Sequence, residues 1–206
     1  MTVYGDLGVR TLINAKGPAT RLSGGIMRPE VAEAMADASQ ACVDIADLQA
    51  AASRLIAEAT GAEAGYVASG ASACLLIGAA ACVTGLDPGK MARLPDTTGM
   101  KNECVMVRSQ RNFYDHAVRA AGMRIVEVGL PDRYAGAGVR DAEAWEIEDA
   151  INERTGAVLY VADAHARPSL SAVVTVAHSH DIPVIVDAAA QLPPQENLRR
   201  YTSEGA

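Results

Sequence analysis

Short apolar runs recur along this chain, and a stretch of helical periodicity separates each from the next. "ECVMVR" (103–108), "RIVEVG" (124–129), "AVLYVAD" (157–163) and "PVIVDA" (183–188) read as strands. "FYDHAVRAAG" (113–122), "DAEAWEIEDAINERTG" (141–156) and "SLSAVVTVAHSHD" (169–181) read as the helices between them. Strands joined through helices by short loops cannot pair as hairpins. They predict a mostly parallel sheet with helices on both faces, an α/β three-layer sandwich.

Upstream, "RPEVAEAMADASQ" (28–40) predicts a helix with Pro29 in its first turn and Val31, Met35 and Ala38 on one face. "DLQAAASRLIAEATG" (47–61) predicts a second, closed by Gly61. "AGYVASGASACLLIGAAACVTG" reads as a short strand (65–68), a tight turn (69–71) and an apolar helix ending near Gly85. Residues 87–102 form the longest irregular insertion, with room for a short helix, and the glycine-rich residues 1–28 read as an arm with one short helix or strand.

Half of the 206 residues are apolar and 21% are charged, as in a globular chain, and the net charge is −7. No Lys/Arg block proposes nucleic acid as a partner. Four cysteines (Cys42, Cys74, Cys82, Cys104) show no metal spacing, and Cys74 and Cys82 lie in apolar helical sequence, so they read as small core residues of a reducing compartment. The N-terminus has no apolar signal-peptide core and no stretch is long and apolar enough to span a membrane, so a cytoplasmic location is expected.

Ligands of open α/β sheets bind beyond the carboxyl ends of the strands. Three segments fall there. "SGASA" (69–73) combines a glycine turn, two hydroxyls and a helix N-terminus, a pattern that suits a phosphate and equally an ordinary serine-capped helix. It is neither a P-loop nor a dinucleotide fingerprint. "RSQRNFYDH" (108–116) follows a second strand. In "VIVDAAAQLPP" (184–194) Asp187 ends a strand among alanines, where a carboxylate needs a cation or a strong donor. A protonated pyridine nitrogen is such a donor; magnesium, or a capping role, would also satisfy the carboxylate.

A phosphate turn followed about 115 residues later by strand–Asp–x–Ala resembles the large domain of fold-type I pyridoxal phosphate (PLP) enzymes. "INAKGPATRLSGG", "RLPDTTGMKNE", "YDHAVRAAG" and "VIVDAAAQLPP" resemble the branch that holds L-seryl-tRNA(Sec) selenium transferase, and within it the D-glucosaminate-6-phosphate ammonia-lyase group. The resemblance implies pyridoxal 5'-phosphate as cofactor, with an aminotransferase class V-like fold. Ser69, Gly70, Ala71 and Ser72 would hold its phosphate, Asp187 its ring nitrogen and Ala189 one ring face. Asn112, Tyr114 or His116 would cover the other, with His116 as the candidate carried forward. Gln191 stands one residue further from the aspartate than the glutamine that reaches the ring hydroxyl in related enzymes. Arg21 and Arg111 are candidates for a substrate carboxylate or phosphate, and His165 for ring or substrate contact.

The implied activity is a PLP-dependent lyase acting at the α-carbon of an amino acid or amino sugar acid, by α,β-elimination. The alternatives are a seryl-tRNA selenium transferase and a non-catalytic fragment. An unrelated nucleotide or sugar-phosphate binder using only "SGASA" is a further reading. Members of such families assemble as homo-oligomers, so one is expected here, with no metal site. The Schiff-base lysine of the fold, which follows the aspartate in related enzymes, has no counterpart: Lys16, Lys90 and Lys101 all precede Asp187, and none has the family's position. Residues 1–28 are therefore expected as an arm and 29–206 as an incomplete PLP-binding large domain, without the small C-terminal domain.

Overall fold

The computed structural model describes residues 2–17, 19–22, 25–130 and 141–206. They divide into two compact units, Met1–Ile45 and Ala46–Ala206. The first holds α1 (Val3–Asp6), a 3-10 turn (Thr20–Leu22) and α2 (Pro29–Ala38). None of its described residues is buried, and Val31 and Met35 on the expected apolar face of α2 are exposed.

The second unit carries most of α3 (Ile45–Thr60), then α4 (Ala71–Thr84), α5 (Pro88–Arg93), β1 (Glu103–Val107), α6 (Asp115–Ala120), β2 (Arg124–Val128), α7 (Ala144–Ala150), β3 (Thr155–Val161), α8 (Leu170–Ser179), β4 (Val184–Asp187) and α9 (Asn197–Ser203). The four strands form one parallel sheet in the order β2-β1-β3-β4. Alternating side chains go to opposite faces. Cys104, Met106, Ala157 and Leu159 pack with Leu75, Ala79 and Val83 of α4 and Ala117 and Val118 of α6. Val105, Val107, Val158 and Tyr160 pack with Ile147 of α7 and Leu170, Val173 and Ala177 of α8. Two apolar layers around one sheet make the expected three-layer sandwich.

The expected strand at 65–68 is not a strand. Its backbone pairs with side chains of α3 instead of a neighbouring strand. The Gln49 amide receives the Val67 N–H on Oε1 at 3.1 Å and donates to the Val67 carbonyl at 2.7 Å, and the Gly65 N–H donates to Ser53 Oγ at 3.0 Å. The core reading of the cysteines holds in part. Cys104 is buried and Cys82 half-buried, and burial pushes both thiols up, Cys104 to about 12. Cys74 and Cys42 are exposed.

Candidate functional site at the carboxyl ends of the strands

Asp187 is the last residue of β4 and is half-buried. Ile185, two residues earlier, packs with the α4 and α6 cluster, so the strand period turns Asp187 to the same face. Its register partner is Val161 of β3, and the Ala162 N–H donates to the Asp187 carbonyl at 2.9 Å. The carboxylate accepts the Ala189 N–H on Oδ1 at 3.1 Å. No cation pairs with it among the described residues. The turn explains why Ala189 lies beside the carboxylate: an Asx-type bond folds the chain back over the strand end.

α4 packs over β3 and β4 on that same face. Its N-cap is Gly70, with φ 107°, a conformation that side-chain-bearing residues rarely adopt, and open space where a Cβ would stand. No side chain caps the helix, and the Cys74 N–H is the first to return to it, bonding the Gly70 carbonyl. The turn Ser69, Gly70, Ala71, Ser72 is exposed, so its leading N–H groups meet solvent or an anion. These features fit a phosphorylated, cationic ring: an uncapped helix start for the phosphate and an unpaired carboxylate for the ring nitrogen.

The other candidates are spread more widely. His116 is exposed on α6, and His165 is exposed with its N–H bonded to Asp163 Oδ1 at 2.8 Å. Arg21 is exposed in the 3-10 turn of the first unit. The motif around it is described in part, since Pro18, Ser23 and Gly24 lie outside the described residues. Arg111 is committed locally. Its Nε donates to Asp115 Oδ2 at 2.6 Å and its Nη1 to Glu127, while Arg108 holds Glu127 at 2.8 Å and Arg119 holds Asp115 at 3.2 Å. Burial pushes the Asp115 carboxyl up, but the Arg111 and Arg119 guanidiniums outweigh it and hold the group below the usual carboxylate range. Gln191 donates from Nε2 to the Ala162 carbonyl at 2.9 Å, next to the residue paired with Asp187.

Neither lysine of the second unit reaches this end of the sheet. Lys101 precedes β1, so about 20 Å of extended chain separates it from the carboxyl edge. Lys90 lies on α5, beyond the far end of α4, roughly 21 Å of helix from Gly70. Lys16 belongs to the first unit.

Sequence reasoning passed over Gln110. It sits in the 3-10 turn Arg108–Gln110 after β1, is 7% exposed, and accepts the Val161 N–H on Oε1 at 2.9 Å. The available signal was a polar amide just beyond the apolar run 104–107.

The solved structure of D-glucosaminate-6-phosphate ammonia-lyase superposes on this chain with a TM-score of 0.90 at 39% identity, over 100% of this chain and 55% of that one. The chain shares that fold. In sequence it is 39% identical to the D-glucosaminate-6-phosphate ammonia lyase of Salmonella typhimurium over 99% of this chain and 54% of the relative. It is 34% identical to a 5'-C-glycyluridine monooxygenase-decarboxylase of a Streptomyces species over 98% and 50%. A profile of the DegT/DnrJ/EryC1/StrS aminotransferase family matches residues 140–202. The aspartate aminotransferase of Rhizobium meliloti, 20% identical with a TM-score of 0.51 over 90% of this chain and 45% of that one, shares the fold. The chain spans about half the length of the curated relatives it matches. Among the described residues no helix is long and apolar enough to cross a membrane.

Proposed function

We propose that this chain supplies the cofactor-binding half of a cytoplasmic, pyridoxal 5'-phosphate-dependent lyase that eliminates ammonia from an amino sugar acid. The observation that carries the reading is Asp187, an unpaired, half-buried carboxylate at a strand end, turned to the face on which α4 packs. The 39% identity to the Salmonella typhimurium ammonia lyase supports the reaction class and the sugar-acid substrate. A net charge of −7 disfavours the alternative of a tRNA-directed transferase.

Bound pyridoxal phosphate supplies an electron sink that weakens bonds at the α-carbon of an amine-bearing substrate. The residues of this chain bind and orient it. The N–H groups and hydroxyls of Ser69, Gly70, Ala71 and Ser72 hold the phosphate at the start of α4. Asp187 keeps a proton on the ring nitrogen, because a carboxylate beside it favours the charged form. Ala189 is small enough to let the ring lie against the turn, His116 covers the opposite face, and His165 contacts substrate. The working assembly is a homo-oligomer.

The test is titration of the purified chain with pyridoxal 5'-phosphate, followed by absorbance and fluorescence, for the parent and Asp187→Asn. Saturable binding by the parent, weakened roughly tenfold or more in the variant, is the expected result; removing one partner of a charged pair costs on the order of 2 kcal/mol or more. Equal binding by the two proteins would remove Asp187 from the site.

A further inference from the structure

Gln110 ties the turn after β1 to the exit of β3, and the exit of β3 is where Asp187 is hung. The backbone pairing of β1 with β3 runs to Met106↔Leu159 and stops. Two residues on, the Val161 N–H has no β1 carbonyl to meet, and the Gln110 side chain supplies the acceptor at 2.9 Å. Val161 is the register partner of Asp187, and the next residue donates its N–H to the Asp187 carbonyl. A second amide, Gln191 Nε2, holds the Ala162 carbonyl at 2.9 Å. Two glutamines therefore fix consecutive residues at the exit of β3, against which Asp187 of β4 is paired.

The other end of the Gln110 amide shows that this anchor has a cost. The Val161 N–H dictates which way the amide faces, because only the oxygen can accept it. Nε2 then faces away, buried, with no hydrogen-bond partner among the described residues. A buried unsatisfied donor destabilises the fold, since it has given up its water without gaining a partner. A methionine of similar shape would avoid that cost and leave the sheet core unchanged. It would also leave the Val161 N–H without an acceptor and free the exit of β3 to shift.

We infer that Gln110 is a positioning residue for Asp187: through Val161 it sets the angle at which the carboxylate meets the ring nitrogen of the cofactor. The inference rests on the cofactor reading above. It assigns Gln110 no contact with substrate.

The experiment begins with the parent chain. Amide hydrogen exchange at Val161 reads the anchor directly, and pyridoxal 5'-phosphate titration with induced circular dichroism reads the ring's orientation. The Val161 amide is expected to be protected in the parent. In Gln110→Met it is expected to exchange faster, with cofactor affinity lowered roughly tenfold, as for partners that orient a ligating group from behind, and the induced dichroism band altered. A Val161 amide that exchanges freely in the parent overturns the inference whether or not the variant folds. Faster exchange in the variant with unchanged affinity and an unchanged band overturns it too, leaving Gln110 a stabilising residue only. Failure of the parent to bind cofactor overturns the functional reading and this one together, and is distinct from a loss confined to the variant.

Discussion

Glu103 carries a charge into a strand position that is 1% exposed. It is tolerable because three donors converge on it: Asn152 Nδ2 at 2.9 Å, Arg124 Nη2 at 2.6 Å and Arg154 Nε. The Asn152 hydrogen bond, followed by the two arginines, outweighs desolvation and lowers the carboxyl to about 2. A folded-state value below the unfolded one stabilises the fold above the unfolded value of 4.5, and that contribution is lost as pH falls from 4.5 through about 2. Glu103→Gln should therefore lower stability at neutral pH by about 2 kcal/mol, discounted because both arginines are largely exposed. The gap to the parent should close as pH falls through that window. Urea unfolding at pH 7 and pH 3 measures it; a gap independent of pH would mean that packing, not charge, is what Glu103 supplies. At the residue scale the candidate site was legible in part. Asp187 stood out as a candidate because a carboxylate after three apolar β-formers contradicts its surroundings. Gln110 was not, because its importance depends on the Val161 N–H, a group 51 residues away.

At the scale of elements, the strands and helices of the sandwich were legible because each carries its own period, and most ends lie within a few residues of expectation; the exception is the helix expected over 141–156, which stops at Ala150 and leaves Thr155 and Gly156 to β3. The segment 65–68 carries the same apolar signature as a strand, but a strand needs a ladder, and here one side chain imitates it. Gln49 offers an acceptor and a donor spaced like a backbone unit, and Val67 uses both. Helix α9 was missed for a related reason: its sequence is polar, and its place is set by distant carbonyls. Arg199 donates to the Glu58 and Ala59 carbonyls, and Thr202 to that of Thr60, closing the C-terminal end of α3. Replacing the imitation should have a local effect. Gln49→Met is expected to cost about 1 kcal/mol, since both bonds are largely solvent-exposed. It should speed amide exchange at Val67 while leaving the amides of β1 and β3 protected. Unchanged exchange at Val67 would show that the segment is held by its own side chains, not by Gln49.

At the scale of the whole molecule, binding and chemistry are separable. The carboxyl edge of the sheet gathers the Asp187 carboxylate and its two glutamine supports, while Lys101 enters at the opposite edge and Lys90 stands past the far end of α4. Secondary structure fixes those separations, so no rotamer change brings either amine to Asp187. Arg111, chosen from sequence for a substrate oxyanion, has its fork filled by Asp115 and Glu127. That ion-pair network was invisible in the sequence, because Glu127 reaches it from another strand. Neither Lys90 nor Lys101 should thus hold pyridoxal phosphate covalently. Borohydride reduction of the loaded protein, followed by peptide mass spectrometry, is expected to give only slow, sub-stoichiometric labelling of Lys90 and Lys101, the same in the parent and in Asp187→Asn. A stoichiometric adduct on one of these lysines that Asp187→Asn abolishes would mean that an amine does reach the ring. The separation of lysine from carboxylate drawn from the sheet would then be wrong.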